Sequence, residues 1–361
     1  MSELHQIVAL WQAAKAKQEE ICLATVVRVE GSSYRKPGAR MLLTQGGQRA
    51  GTISGGCLEA EVAKKAWWLT QNGPSIQTYS SFFDDDSPAP YGLGCGGTVH
   101  VHLERGSAAH AVLDALDINL HERVPFVIVT DTDKAGTLFV QRANGEEPLS
   151  PRAATPEIDR LTQHAIKERS SFYSSHLFVE YLAPCPALTI FGAGDDAQPL
   201  ADFAKRLGWY VTIADGRSHL ASAVRFPQVD RLAILNYEEA SPLRELVADP
   251  EQAFVLLTHS YEQDRAILQE LIPRKPKYLG VLGPRQRTER LIAEFAARTG
   301  LSSNECMACL HAPVGFDIGA HTPESIALSI VAEIVAVLNG REGTSLKKQS
   351  REHIHSKLHY V

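Results

Sequence analysis

The residues best suited to chemistry in this sequence lie in glycine-rich loops. Gly31-Ser-Ser-Tyr-Arg35-Lys36-Pro-Gly-Ala-Arg40 carries three cations around a turn, and Ser54-Gly55-Gly56-Cys57 offers successive backbone amides where a helix begins. Cationic side chains beside free N–H donors hold a phosphate or a comparable small anion, provided the fold brings the two segments together. The alternative reading is a solvated basic turn next to an ordinary helix cap. Cys57, and Cys95 within Gly92-Leu-Gly94-Cys95-Gly96-Gly97, sit where backbone can approach a ligand closely, and a thiol at a helix N-terminus gains thiolate character. Both are candidate contacts for a soft metal, against the common alternative of a small packed cysteine.

A second constellation is Gly192-Ala-Gly194-Asp-Asp-Ala197, which follows an apolar strand and opens a helix. That spacing suits a pyrophosphate at a helix N-terminus, and Asp215, at the end of the next strand, is placed to accept from a ribose diol. The motif therefore raises NAD(P) or another nucleotide as a ligand. The competing reading is a scaffold turn capped by its own Asp, because Asp195 and Asp196 put carboxylates near the phosphate seat, where like charge opposes binding. An NAD(P)-dependent oxidoreductase also needs a proton donor, for which His259, Tyr261 and His311 are candidates. Cys306, Cys309 and His311 hint at zinc but lack a second ligand pair at finger spacing. His100 and His102 share one strand face without a third ligand.

The elements that must position these groups follow from periodicity. Residues 22–54 read as a β meander, and Leu58, Val62, Ala66 and Leu69 mark a helix after it. Further extended runs continue a mixed α+β first half, and Ala183-Pro-Cys-Pro186 reads as a linker. From Ala187 strands and helices alternate, with Leu200, Phe203, Ala204 and Leu207 expected inward on the first helix. Thr322 and Pro323 start the last helix, Ile326, Ile330 and Ile334 form its core stripe, and Gly340 follows its end. The expected fold class is α/β: an N-terminal mixed α+β domain (1–183), a C-terminal Rossmann-like domain with a doubly wound parallel sheet (187–340), and a polar, mobile tail (341–361).

Composition narrows the function classes. A chain of 361 residues exceeds the usual length of one domain. Its net charge of -6 provides no general attraction for nucleic acid or an anionic membrane. Glu3, His5 and Gln6 stand where a signal peptide needs a basic flank and an apolar run, and Ser325 to Leu338 is too short, and interrupted by Glu333, to span a bilayer. Six scattered cysteines favour a reducing compartment, so the expected location is cytoplasmic. No P-loop, zincin or nucleophile-elbow motif is present.

Three segments of the first half, ATVVRVEGSSYRKPGARMLLT, GTISGGCLEAEV and YGLGCGGTVHVHLE, resemble the XdhC/CoxI family of xanthine dehydrogenase accessory proteins. In the second half, IFGAGDDAQPLADFAKRLGWYVTIADGR, YLGVLGPRQRTERL and HAPVGFDIGAHTPESIALSIVAEIVAV resemble its Rossmann domain. The resemblance implies a cytosolic, dimeric, non-catalytic chaperone. Such a protein binds molybdenum cofactor, supports its sulfuration with a cysteine desulfurase, and delivers it to apo xanthine dehydrogenase or a related molybdoenzyme. Carried over by position, Arg35, Lys36, Arg40 and the Ser54–Cys57 loop would take the phosphate or pterin, with Cys57 and Cys95 near the metal.

Overall fold

A computed structural model describes residues 2–56, 58–80, 97–133, 136–149, 155–236, 240–345 and 347. The chain divides into two compact units, with the break between Cys185 and Pro186.

The N-terminal unit opens with α1 (Glu3–Ala16), capped by Ser2, whose hydroxyl accepts from the His5 amide. Ile7, Val8, Trp11 and Ala14 recur at helical spacing and bury one face. β1 (Ile21–Gly31), β2 (Arg40–Thr44) and β3 (Arg49–Gly51) form the meander, followed by α2 (Glu59–Leu69), β4 (Ser75–Ser80) and β5 (Gly97–Glu104). These strands make an antiparallel sheet in the order β3-β2-β1-β5-β4. After α3 (Gly106–Glu122) come β6 (Phe126–Asp131), β7 (Gly136–Arg142), α4 (Pro156–Glu168), β8 (Phe172–Ser174) and β9 (Leu177–Leu182), whose strands form a second antiparallel sheet, β7-β6-β9-β8.

β1 begins with seven consecutive buried residues because both of its faces are covered. Cys22, Ala24 and Val26 join a core with Val62 and Ala66 of α2. Ile21 and Leu23 join another with α1, α3 and the Phe126, Ile128 and Val140 side chains of the second sheet. That second face also carries polar groups: Thr25 stands in register with Arg40 of β2 and His102 of β5, and Leu23 with Glu104. Thr25, Arg40, His102 and Glu104 are all buried. α4 covers the outer side of the second sheet through Ile158, Leu161 and Ala165.

The C-terminal unit runs β10 (Ala187–Phe191), α5 (Ala197–Arg206), β11 (Tyr210–Asp215), β12 (Arg231–Ile234), α6 (Ala240–Leu246), β13 (Ala253–Leu256), α7 (Tyr261–Leu271), β14 (Tyr278–Val281), α8 (Arg285–Thr299), α9 (Ser303–Ala308) and α10 (Pro323–Leu338). All four strand pairs are parallel, in the order β12-β11-β10-β13-β14. α5 and α10 pack on one face of the sheet and α6, α7 and α8 on the other, so it is doubly wound. Thr322 and Ser325 form a capping box at α10 with Pro323 in its first turn. Leu207 departs from the expected inward stripe: it is the C-cap of α5 and 51% exposed, because the helix has ended before the stripe returns to the core. Among the described residues, no helix is long and apolar enough to cross a membrane.

Candidate functional site

The turn after β1 lies between two glycine segments. Gly31 pairs with Gly97 at the open end of the β1–β5 ladder, and a Cβ on Gly97 would stand 2.1 Å from the Ser32 carbonyl oxygen. Only glycine permits that approach. Two residues further on, the exposed Tyr34 ring covers Gly55, 3.7 Å from where a Cβ would be. Glu3 completes the bracket: one carboxylate oxygen accepts from the Thr52 amide (2.6 Å) and hydroxyl (2.7 Å), and the other from Arg35. The two segments that anion binding requires to be neighbours are thus neighbours. Cys57, Gly94, Cys95 and Gly96 lie outside the described residues.

The loop holding Ser54, Gly55 and Gly56 is organised from within. Glu59, on the first turn of α2, accepts from the amides of Ile53 (3.1 Å) and Ser54 (2.8 Å) and from the Ser54 hydroxyl (2.6 Å). Ser54 Oγ in turn accepts from the amides of Gly56 (3.2 Å) and Leu58 (3.1 Å). This corrects the expectation that the loop's successive amides are open to an anion: those of Ser54 and Gly56 are engaged, by Glu59 and by the Ser54 hydroxyl, as are those of the flanking Ile53 and Leu58. Burial pushes the Glu59 carboxyl up, but hydrogen bonds from the Ser54 hydroxyl and from the amides of Ser54, Glu59 and Ile53 outweigh it, leaving the group below its ordinary value. Gly56, at φ +113°, faces open space.

The cations do not act alike. Arg40, expected at the anion seat, is corrected by its position on β2: its guanidinium is buried and forked onto Glu180 of β9, with Nη1 to Oε1 at 2.9 Å and Nη2 to Oε2, and Nη1 also donates to the Gly38 carbonyl. Arg35 is half-buried against Glu3. Lys36 is exposed and forms no ion pair with a described residue, so it is the cation of this turn open to a ligand. His102 and Glu104 share the polar face, 3.8 Å apart; Glu104 accepts from the Thr137 hydroxyl and amide. Burial holds the His102 imidazole below its usual pKa, with Glu104 opposing and Arg40 assisting. His100 is half-buried, bonded through Nδ1 to Thr78 (3.1 Å). Sequence reasoning missed Glu3, Glu59 and Glu180, since nothing in their own segments marks them. Gly97 had a signal, as the last residue of a glycine cluster opening a strand.

In the C-terminal unit, Gly192 sits at φ +114°, where a Cβ would meet the Leu257 carbonyl oxygen at 2.4 Å, so glycine is required for packing of this turn against β13. Ala197 begins α5 in the core. Asp215 accepts from the Ala193 amide (2.8 Å) and from the Arg217 amide (2.8 Å), Nε (2.9 Å) and Nη2 (2.8 Å). This corrects the expected ribose contact, because both carboxylate oxygens already serve the turn. Burial raises the Asp215 pKa and the Arg217 and Ala193 hydrogen bonds more than reverse it. Asp195 pairs with Arg225 at 2.8 Å and Asp196 with His259 at 3.0 Å, and Asp196 Oδ1 would lie 2.8 Å from a Cβ on Gly194. Tyr261 donates to Glu294 (2.8 Å), whereas His311 stacks on Tyr278 and pairs with Glu333 (3.2 Å). These three candidate proton donors are thus engaged by their own neighbours. Cys306 is buried in the core beside α8, and among the described residues no group of three or more His, Cys, Asp or Glu could hold a metal.

The C-terminal unit is a Rossmann-type domain with an internally bonded first turn, carried on the same chain as an α+β unit that presents glycine loops. Residues 188–334 match the XdhC Rossmann domain and residues 14–80 the XdhC and CoxI family. The chain is 35% identical over 320 residues to a protein of Bacillus subtilis (strain 168) named as a probable xanthine dehydrogenase subunit, spanning 88% of this chain and 93% of that protein. It belongs to the XdhC and CoxI family. It is also 27% identical over 333 residues to the molybdenum cofactor insertion chaperone PaoD of Escherichia coli (strain K12), spanning 91% and 87% of the two chains. The crystal structure of a xanthine dehydrogenase from Bacillus halodurans matches at a TM-score of 0.76 and 29% identity, covering 96% of this chain and 98% of that one.

Proposed function

We propose that this protein is an accessory factor that binds molybdenum cofactor as cargo and aids its insertion into xanthine dehydrogenase or a related molybdoenzyme. The observation that carries the reading is the end-to-end likeness to a relative named as a molybdenum cofactor insertion chaperone, together with a basic turn set between two glycine segments. Lys36 and the Gly55 amide serve the phosphate end of the cargo, which suits a charge held on an open surface and released again. Cys57 and Cys95 serve the metal end through soft thiolates. The same reading has the factor acting without turnover of its own, as a cytoplasmic homodimer, protecting the cofactor and supporting its sulfuration by a cysteine desulfurase.

The NAD(P)-dependent oxidoreductase reading has less support, because Asp215 already bonds the glycine turn and Asp196 stands beside it. Both readings are tested together by anaerobic purification from a host that makes molybdenum cofactor, with molybdenum, pterin and NAD(H) measured on the purified protein. The expected result is molybdenum and pterin in equal amounts, lowered in Cys57→Ala, Cys95→Ala and Lys36→Ala. Protein that carries NAD(H) and no pterin would overturn the proposal.

A further inference from the structure

Cys306 and Cys309 belong to neither the cargo site nor the Rossmann turn, and α9 places both in one helical turn. Cys306 is 1% exposed, in a core with Leu291, Ile292 and Phe295 of α8. Cys309 is the C-cap and half-buried, so it is the thiol that solvent reaches. The helix tightens at this end. The Cys309 amide donates to the Cys306 carbonyl three residues back (3.3 Å), and the Cys309 thiol donates to the Glu305 carbonyl (3.4 Å) that an α-helical amide would have used. An i→i+3 turn aligns the side chains of its first and last residues and holds their Cα atoms about 5–6 Å apart, within the span of a disulfide. The Cys309 sulfur, bonded back toward Glu305, lies over that same turn. Burial pushes the Cys306 thiol above its ordinary pKa, and Cys309 and Glu305 add to the push, so each sulfur lies in the other's field.

We propose that Cys306 and Cys309 form a reversible dithiol/disulfide site, whose oxidant is a low-molecular-weight disulfide and whose reductant is the matching thiol. The Cys309 thiolate attacks one sulfur of the small disulfide and breaks its S–S bond. A mixed disulfide forms, and the expelled thiolate takes up the proton that Cys309 gave to water. Cys306 then loses its proton and attacks the Cys309 sulfur, closing the protein disulfide and expelling a second thiolate, which is protonated in turn. Two protein thiols are oxidised and one small disulfide is reduced to two thiols, with no other reactant consumed. Closure draws on Cys309, at the end of α9, while Cys306 stays fixed in the core. The site belongs to the C-terminal unit and needs no molybdenum or pterin.

The test treats the folded full chain with excess oxidised glutathione, alkylates the thiols that remain, and reads Cys306 and Cys309 by peptide mass spectrometry. In the wild type both should lose alkylation together, on a peptide lighter by two hydrogens, and dithiothreitol should restore both. Cys306→Ser should stop at a glutathione adduct on Cys309. Cys309→Ser leaves the core unchanged, and its Cys306 should react about tenfold or more slowly, because no neighbouring thiol delivers the oxidant. The oxidised wild type should keep its native circular dichroism spectrum. Two thiols that stay alkylatable, an adduct on wild-type Cys309 that never closes, or pairing of either cysteine elsewhere would overturn the proposal. So would equal reaction of Cys306 in Cys309→Ser, or oxidation that comes only with unfolding.

Discussion

Arg40 on β2 and Glu180 on β9 tie the two sheets of the N-terminal unit together through a two-point ion pair whose side chains are 6% and 9% exposed. The pair is the centre of a polar layer, with His102, Glu104 and Thr25, inside an otherwise apolar interface. Taking one partner away leaves a buried charge unmatched. Glu180→Gln should therefore cost about 3–5 kcal/mol of stability, whereas Arg40→Met with Glu180→Leu should cost far less, since removing both charges also removes their desolvation penalty. Urea unfolding followed by circular dichroism checks both; equal losses would place the cost in side-chain shape instead of charge.

His102 predicts a pH dependence. Burial holds its folded pKa below the unfolded value of 6.5, so between those two values the unfolded chain binds more protons. The sign follows: the neutral imidazole's contribution is complete above pH 6.5 and is lost as pH falls through that range, by at most about 1.4 kcal/mol per pH unit. His102→Leu should flatten this limb when urea midpoints are compared from neutral to mildly acidic pH.

Glu59 predicts a second, more acidic limb. Its folded pKa lies below the ordinary 4.5, so the stability it supplies is present above that value and is lost as pH falls through the lower folded one. Glu59→Ala should remove the acceptor for the Ile53 and Ser54 amides at a cost of about 1–3 kcal/mol. Hydrogen exchange at residues 53 and 54 should accelerate even at neutral pH.

Gly97→Ala tests the assembly of the site. The added methyl would meet the Ser32 carbonyl at 2.1 Å, so the turn must move off the strand, costing more than about 1 kcal/mol. Pterin and molybdenum retention should fall while the doubly wound sheet, in the other unit, stays intact by circular dichroism. Full retention would show that the cargo does not depend on the closeness of this turn and strand.

The parallel sheet was legible in the sequence because β10, β13 and β14 are buried, largely apolar runs and α10 carries its own start signal in Thr322 and Pro323. The meander was legible for a similar reason: Gly31, Gly47 and Gly51 punctuate it at positive φ. The glycine segments, too, announce themselves by composition. What stayed hidden was the partner of each charge. Arg40 reads as a free cation until Glu180, 140 residues later, is folded against it, and Asp215 reads as a ribose ligand until the Ala193 amide and Arg217 fill its oxygens.

Local sequence by itself determined the elements, their caps and the loops where backbone can come close to a ligand, because those depend on side-chain type, period and φ. Tertiary structure alone decided which ionisable groups remain open to solvent, as Lys36 does, and which are spent on holding sheets and turns, as Arg40, Glu59 and Asp215 are. The energy of a charge depends on what surrounds it within a few ångströms, and those surroundings come from segments far apart along the chain.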